Sequence, residues 1–319
     1  MEIEYQAPAS LKETVALLAE KGERTCLIAG GSDLLVWLYQ GLLEADVVVD
    51  VQRIPELSVL QFSPTDGLTI GAAVPWCRVC EHPQVAAFYP CLSLVARLIR
   101  SIPVKGRATL GSNLCTTPAS SDAIPALIAL EATCNIAGPQ GQRAVPVEQL
   151  WAMPGQTTLG RGEMLVSVHL PVPRPHSGAW YIPFYPGDET DMIYVRVAAS
   201  LALNDDDGEI LAARVVLGAA APTPLLLNTV SAVLVGQAPS EPVLDTAAAL
   251  ARVATWPTKD AHGNAVQRAQ VAGLLTRRAL CGALLQAKRE IQPALHQDPG
   301  GLTVSTKESR YRFEGNGVQ

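Results

Sequence analysis

The first fifth of the chain alternates between helix-like and strand-like spacing of apolar residues. Ser10 and Glu13 form a capping box ahead of an apolar stripe, and Gly22 stands where a helix would end, which predicts a helix over residues 10–21. The elements predicted next are a strand at 25–28, a glycine turn at 29–31, a helix that ends at Gly41 and strands at 47–51 and 68–71. This alternation is typical of α/β or α+β domains.

The remaining pattern divides into two parts around a proline-rich segment. Before it we predict a helix at about 86–100, a loop of small residues at 109–122, a helix at 123–132 and strands near 133–137 and 165–170. Residues 171–175 carry three prolines, which a central strand excludes, so we place a domain boundary there. Beyond it we predict strands at 198–203 and 212–218 around the acidic turn 204–208, helices at 224–235 and 267–290, and a loosely held tail from 292.

Composition narrows the range of functions. The 319 residues are 48% hydrophobic and 17% charged, and the net charge of −6 offers no general attraction to nucleic acid. The N-terminal region lacks the basic and apolar segments of a signal peptide, and no apolar stretch is long enough to span a bilayer, so we expect a cytoplasmic protein without membrane insertion.

The seven cysteines do not have the arrangement of a disulfide framework, and we expect most of them to be reduced core thiols. Cys77 and Cys80 form a CxxC motif with Cys91 nearby, a spacing at which thiolates can share a metal ion. No second CxxC and no paired histidines complete such a site. We therefore favour buried small hydrophobic residues over a metal site here.

Two segments carry candidate chemistry. The glycines at 30 and 31, between a strand and a helix, would let backbone amides approach a diphosphate, with Ser32 and Asp33 as further polar partners. The run of small and hydroxyl residues from Thr109 to Asp122 would wrap a polar ligand closely. Taken singly, the first segment is also compatible with a simple turn and the second with a surface loop. Neither a Rossmann glycine motif nor a P-loop is present.

Together the two segments resemble the two flavin motifs of a known family. Ala29-Gly30-Gly31-Ser32-Asp33-Leu34-Leu35 is similar to the first motif, and Thr109-Leu110-Gly111-Ser112-Asn113-Leu114, with Asp122 nine residues after Asn113, is similar to the second. The family is the FAD-binding (medium) subunit of the molybdenum hydroxylases, of the xanthine dehydrogenase and carbon monoxide dehydrogenase type. The resemblance covers about residues 1–290, including Gly162 to Val168 and the run Ala221-Pro222-Thr223-Pro224.

The resemblance implies an α+β fold: a two-subdomain FAD-binding fold of the vanillyl-alcohol-oxidase/PCMH type, followed by a smaller α+β domain. We expect the FAD-binding domain at 1–172, with subdomains of about 1–53 and 54–172, the C-terminal domain at 178–291 and the tail at 292–319. It further implies cofactor contacts for these residues: Leu27, Ile28, Ala29, Gly30, Gly31, Ser32, Asp33 and Leu34 around the diphosphate; Thr109, Gly111, Ser112, Asn113 and Thr116 along the diphosphate and ribityl chain; Ser121 and Asp122 toward the adenosine sugar; Ile99 and Leu165 near the rings. Ile99 and Leu165 are also compatible with simple core positions.

The sequence departs from the family pattern at three positions. Ser112 stands where the second motif usually has a glycine, which would crowd the approach to the diphosphate. Pro118 comes one position earlier than usual. Pro183 occupies the position where the family often has a lysine that reaches the flavin ring. A missing cation there would disfavour the anionic reduced flavin and lower its potential.

The function implied by the resemblance is electron transfer within a larger complex. The chain would hold FAD non-covalently, accept electrons from the 2Fe–2S clusters of a small subunit and pass them to a final acceptor, while a large subunit carries the molybdenum cofactor. A dimer of such heterotrimers is one expected assembly. We expect no catalytic residue and no metal ligand on this chain. The alternatives are a stand-alone flavin oxidoreductase and a scaffold subunit that has lost FAD.

Overall fold

The structure is a computed structural model. It describes residues 3–99, 102–116, 121–153, 155–185, 195–204, 208–255 and 265–288. The expected tail at 292–319, Pro118 and most of the acidic turn lie outside these ranges.

The chain begins with a small parallel sheet that holds the first candidate segment. Its elements are β1 (Glu4–Gln6), α1 (Leu11–Lys21), β2 (Thr25–Ile28), α2 (Leu34–Tyr39) and β3 (Val47–Asp50). β3 lies between β1 and β2 and is parallel to both. The predicted capping box is confirmed, because the backbone N–H of Glu13 donates to Ser10 Oγ over 3.3 Å and the Glu13 carboxylate accepts from the N–H of Ala9.

A five-stranded antiparallel sheet follows, with helices inserted between its second and third strands along the chain. In sheet order the strands are β4 (Leu60–Ser63), β5 (Gly67–Gly71), β10 (Met164–Leu170), β6 (Thr133–Gly138) and β7 (Gly141–Pro146), and β8 (Trp151–Met153) pairs with β9 (Gln156–Thr157) outside it. The inserted helices are α3 (Trp76–Glu81), α4 (Pro83–Phe88), α5 (Pro90–Leu98), α6 (Ile102–Lys105), α7 (Leu110–Thr116) and α8 (Ala123–Ala129). One apolar core packs this sheet against α3, α5 and α8.

The single helix predicted over residues 86–100 is wrong. Two helices, α4 and α5, meet at Tyr89, whose backbone angles of −130° and 57° are not helical. Pro90 causes the break, because its ring disfavours the helical conformation in the preceding residue. The helix predicted at 123–132 likewise stops early, at Ala129.

The C-terminal part is a four-stranded antiparallel sheet with helices on one face. Its elements are β11 (Ser177–Phe184), β12 (Val195–Leu203), β13 (Ile210–Gly218), β14 (Leu225–Leu226), α9 (Asn228–Leu234), α10 (Glu241–Ala254) and α11 (Ala265–Ala287). The predicted pairing of β12 with β13 is confirmed. The helix predicted at 224–235 begins only at Asn228, because Leu225 and Leu226 pair with β13, and α10 was not predicted.

Both faces of this sheet are buried, which explains why β12 is almost entirely apolar. Tyr181, Ala198 and Val216 belong to the first core, on the side of α8. Val197 and Leu217 alternate with them and join a second core formed with α9, α10 and α11. The C-terminal sheet is therefore packed directly against the segment that follows the second candidate motif.

The architecture confirms the α+β class, since helices and mostly antiparallel strands are segregated along the chain. Across the described ranges, no helix combines the length and the apolar character needed to cross a membrane. Residues 171–176 join the last strand of the five-stranded sheet to the first strand of the C-terminal sheet.

Candidate functional site

The glycine turn after β2 has free backbone donors. Gly31 has φ +73°, a conformation that favours glycine, and α2 begins at Leu34. Within the described part of the chain, no backbone N–H from residue 30 to residue 34 donates a hydrogen bond. Several unpaired amides on one turn form a concave donor site for an anion such as a phosphate.

The turn rests directly on the approach to the second segment. A Cβ on Gly30 would lie 1.5 Å from the carbonyl oxygen of Arg107, so only glycine fits this contact. Arg107 Nε donates a hydrogen bond of 2.9 Å to the carbonyl of Gly30. Since 77 residues separate the two, the fold itself brings the candidate segments together.

The second segment is not the open loop that was predicted. Residues 110–116 form α7, and the loop prediction is wrong there because Thr109 and Ser112 cap the helix reciprocally. The N–H of Thr109 donates to Ser112 Oγ over 3.2 Å, and the N–H of Ser112 donates to Thr109 Oγ1 over 3.3 Å. Residues 117–120 lie outside the described residues.

Gly111 fixes α7 against the end of β5. Its N–H donates to the carbonyl of Ala72 over 2.9 Å, and a Cβ at this position would lie 2.7 Å from that oxygen. The N–H of Leu110 donates to Val74, and the N–H of Asn113 donates to Thr109. Consequently the backbone N–H groups of residues 109–113 all have acceptors within the protein.

A side-chain hydrogen bond joins the two motifs. Thr116 Oγ1 donates to Asp33 Oδ2 over 3.0 Å, and its oxygen lies 2.7 Å from the carbonyl of Ser112. Both Thr116 and Asp33 were predicted site residues. Their contact places the end of α7 beside the beginning of α2.

Beside α7 lies a cavity of about 190 Å³ that gathers four predicted site residues. Its lining comprises Val95, Ile99, Val104, Ala108, Asn113, Ser121, Asp122 and Ala123. The hydroxyl of Ser121 is buried and has no hydrogen-bond partner among the described residues. A buried polar group without a partner is costly unless a ligand or water satisfies it, so the Ser121 hydroxyl is available to a polar ligand in the cavity.

The polar lining of the cavity suits a ligand rich in hydroxyl groups. The indole N–H of Trp76 donates to Asn113 Oδ1, which orients the side-chain amide of Asn113. Asp122 precedes α8 but makes no capping hydrogen bond to it, so its carboxylate serves other contacts. An amide, a hydroxyl and a carboxylate together offer donors and acceptors for a sugar or polyol.

Two residues from the C-terminal sheet reach this site and were not predicted. Tyr181 donates its hydroxyl to Asp122 Oδ1 over 2.7 Å, and Arg196 Nε lies 3.2 Å from the same oxygen as an ion pair without hydrogen-bond alignment. Burial, and next the Asp122 carboxylate, raise the pKa of Tyr181 well above its usual range, so Tyr181 remains a neutral donor. The sequence feature that could have identified Arg196 is that it is the single charged residue in the apolar run 195–203.

The other predicted site residues lie outside the cavity. Leu165 is 5% exposed, pairs with Ile136 in the five-stranded sheet and belongs to the first core. Leu27 and Ile28 are half-buried in β2. Among the described residues no group of His, Cys, Asp or Glu is arranged to hold a metal; Cys77 and Cys80 are half-buried on α3, and Cys91 is buried in α5. All seven cysteines are free thiols, and most contribute to a core as predicted: Cys91 and Cys134 are buried in the first core, and Cys80, Cys115 and Cys281 pack against a core.

Free turn amides, and a nearby cavity whose lining includes an amide, a hydroxyl and a carboxylate, suit a cofactor that has a diphosphate and sugar hydroxyls. Residues 1–173 match the family model described as the FAD binding domain in molybdopterin dehydrogenase, and residues 185–283 match the C-terminal domain of the carbon monoxide dehydrogenase flavoprotein. The chain therefore belongs to the family of FAD-binding molybdopterin dehydrogenase subunits. The family predicted from the two flavin motifs is confirmed.

Individual relatives match most of the chain. The carbon monoxide dehydrogenase medium chain of Afipia carboxidovorans is 31% identical over 288 residues, which are 89% of this chain and 98% of the relative. The xanthine dehydrogenase FAD-binding subunit of Escherichia coli O157:H7 is 29% identical over 69% of this chain and 75% of its own length. A carbon monoxide dehydrogenase structure from Hydrogenophaga pseudoflava superposes with a TM-score of 0.83 at 28% identity, covering 90% of this chain and 98% of that one.

Proposed function

We propose that this chain is the FAD-binding electron-transfer subunit of a multi-subunit molybdenum-containing hydroxylase or dehydrogenase. The observation that carries the proposal is that the free-amide glycine turn packs against Ala108, which also lines the cavity that contains the unpartnered Ser121 hydroxyl. Bound FAD supplies reversible acceptance and release of electrons, and the protein binds it, orients it and tunes its potential.

The proposed contacts divide the cofactor between the two segments. Residues 27–34 surround the diphosphate, and the free amides of residues 30–34 are its donors. Thr109, Gly111, Ser112, Asn113 and Thr116 line the diphosphate and ribityl chain, Ser121 and Asp122 bind the adenosine sugar, and Ile99 and Leu165 lie near the rings. The domain limits proposed with this arrangement are 1–172, with subdomains 1–53 and 54–172, then 178–291, and a tail at 292–319.

The proposed partners are a small subunit with 2Fe–2S clusters and a large subunit with the molybdenum cofactor, assembled as a heterotrimer or a dimer of heterotrimers in the cytoplasm. Support comes from the names of the relatives, which are a medium chain and an FAD-binding subunit. It also comes from α2 and the turn after it, where Leu35, Tyr39 and Leu42 are 48%, 93% and 71% exposed. Large apolar side chains left exposed together are typical of a surface that is covered in a complex.

The experiment is a cofactor assay on the purified chain, alone and co-expressed with the two proposed partners. The visible absorption spectrum is recorded before and after acid precipitation. We expect flavin to appear in the supernatant, since the attachment is proposed to be non-covalent, and FAD to be identified there by chromatography. Colourless protein, even after incubation with FAD and partners, would contradict the proposal and favour a scaffold subunit without cofactor.

A further inference from the structure

Two residues of the C-terminal sheet contact the carboxylate of Asp122, which lies in the preceding part of the chain. Tyr181 lies on β11 and Arg196 on β12, whereas Asp122 immediately precedes α8. Tyr181 pairs with Ala198 and Pro183 pairs with Arg196 across these strands. Because side chains two residues apart on a strand point to the same side, Tyr181 and Arg196 share the face that packs on α8.

A hydrogen bond and an ion pair converge on one oxygen of the Asp122 carboxylate. The Tyr181 hydroxyl and Arg196 Nε contact Oδ1, at 2.7 and 3.2 Å. No described residue makes a hydrogen bond or an ion pair with Oδ2. Two contacts to Oδ1 restrict rotation of the carboxylate, and Asp122 lines the cavity that also contains the unpartnered hydroxyl of Ser121.

The two donors are themselves held rigidly. The side chain of Tyr181 is 1% exposed and Arg196 is 3% exposed. The stem of Arg196 packs so closely on Gly218 that a Cβ there would lie 2.4 Å from Arg196 Cγ. A buried, close-packed side chain has few alternative rotamers, so the hydrogen bond from Tyr181 and the ion pair with Arg196 together fix the geometry of the Asp122 carboxylate.

We propose that Tyr181 and Arg196 are positioning residues for FAD: they hold Asp122 so that its second oxygen accepts a sugar hydroxyl of the adenosine half. The C-terminal domain is then part of the cofactor site, and its docking and FAD binding strengthen each other. The inference rests on the proposed function and deepens it. A purely structural role would make the same contacts contribute to domain docking but leave FAD affinity untouched.

The test measures the FAD dissociation constant and the unfolding temperature of the full chain, co-expressed with its partners where these are needed for solubility. Tyr181→Phe keeps the buried ring and removes only the hydroxyl. We expect about a tenfold weaker affinity for FAD, since hydrogen bonds to charged groups have this order of effect. Tyr89→Phe is the matched control, because it removes another buried tyrosine hydroxyl, bonded to the carbonyl of Pro171 over 2.9 Å, far from Asp122 in sequence and outside the cavity lining.

A double-mutant cycle separates positioning from general destabilisation. If Tyr181 acts through Asp122, adding Tyr181→Phe to Asp122→Asn should weaken FAD binding no further than Asp122→Asn alone. Arg196→Met, which keeps the apolar stem, provides a second variant if Tyr181→Phe does not fold, and the same non-additive result is expected. Tyr89→Phe should lower the unfolding temperature without changing the FAD dissociation constant.

The outcomes distinguish this inference from the function on which it depends. Wild-type protein that binds no FAD refutes the proposed function. Wild-type protein that binds FAD, together with unchanged affinity in Tyr181→Phe and Arg196→Met, refutes the inference and leaves the proposed function standing. The inference would also be overturned if the fold-losses of FAD affinity in the two single variants multiplied in the double variant. Tyr181 or Arg196 would then act independently of Asp122.

Discussion

Replacing Gly30 by alanine should abolish FAD retention by separating the glycine turn from the segment that supports it. A Cβ at this position would lie 1.5 Å from the carbonyl oxygen of Arg107, whereas contacts below 3.0 Å are essentially never observed for a Cβ. The backbone segments must therefore move apart by roughly 1.5 Å. Such a displacement breaks the hydrogen bond from Arg107 Nε to the Gly30 carbonyl and moves the free amides of the turn.

The magnitude follows from these two losses. Overpacking costs about 1–3 kcal/mol, and a hydrogen bond from a charged donor contributes about 1.5–3 kcal/mol. Holding the Gly30→Ala turn in its binding geometry would thus require about 3 kcal/mol or more. Since each 1.4 kcal/mol is tenfold in affinity, we expect FAD to bind at least about 100-fold more weakly.

The assay is flavin content after gel filtration, followed by titration of the apoprotein with FAD. Gly41→Ala is the control: Gly41 also has a left-handed backbone, with φ +68°, but nothing lies within 4 Å of an added Cβ. It should lower stability by roughly 1 kcal/mol and retain FAD. Gly30→Ala protein that binds FAD within threefold of the wild type would refute the reasoning.

Three further predictions concern other parts of the chain. Ser112→Gly removes the hydroxyl that caps Thr109, so chemical denaturation should show a loss of about 1–2 kcal/mol with FAD still bound; unchanged stability would contradict the capping role. Pro183→Lys adds a cation near the proposed flavin ring and should raise the potential of bound FAD in a redox titration; an unchanged or lower potential would count against that placement. Arg143 lowers the pKa of the Glu163 carboxyl by hydrogen bonding. The pair therefore stabilises the fold fully above the ordinary glutamate pKa of about 4.3, and this stabilisation is lost as the pH falls through the lowered pKa. Glu163→Gln should flatten the acid side of a plot of unfolding temperature against pH.

Local patterns predicted the elements whose signals lie within a few residues. The capping box at Ser10, the strand ending at Ile28 and the paired strands β12 and β13 are all where the spacing places them. Errors occurred where a single residue overrides the local pattern. Pro90 divides one predicted helix into two, and the Thr109 cap turns a predicted loop into α7.

The spacing of apolar residues along the chain does not predict contacts between distant segments. The hydrogen bond from Tyr181 to Asp122 spans 59 residues, and nothing in the local sequence of either residue specifies the other. Strand β11, which contains Pro183, was likewise not predicted; it is an edge strand, where a missing backbone donor is tolerated. Tertiary packing decided both cases, and the family resemblance supplied only the residues of the site itself.

Because Ser112 stands where the family usually has glycine, we expect the backbone donors for the diphosphate to come from the first motif and not from the second. Its hydroxyl donates to the Thr109 carbonyl over 2.9 Å and accepts from the Thr109 N–H, so it folds back on α7 instead of projecting toward a ligand. With the amides of residues 109–113 all satisfied internally, that segment has no backbone donor left for a diphosphate. The free amides of residues 30–34 must then provide the backbone donors. For this reason Gly30→Ala should damage FAD binding far more than Ser112→Gly, and the reverse order would show that α7 rearranges when the cofactor binds.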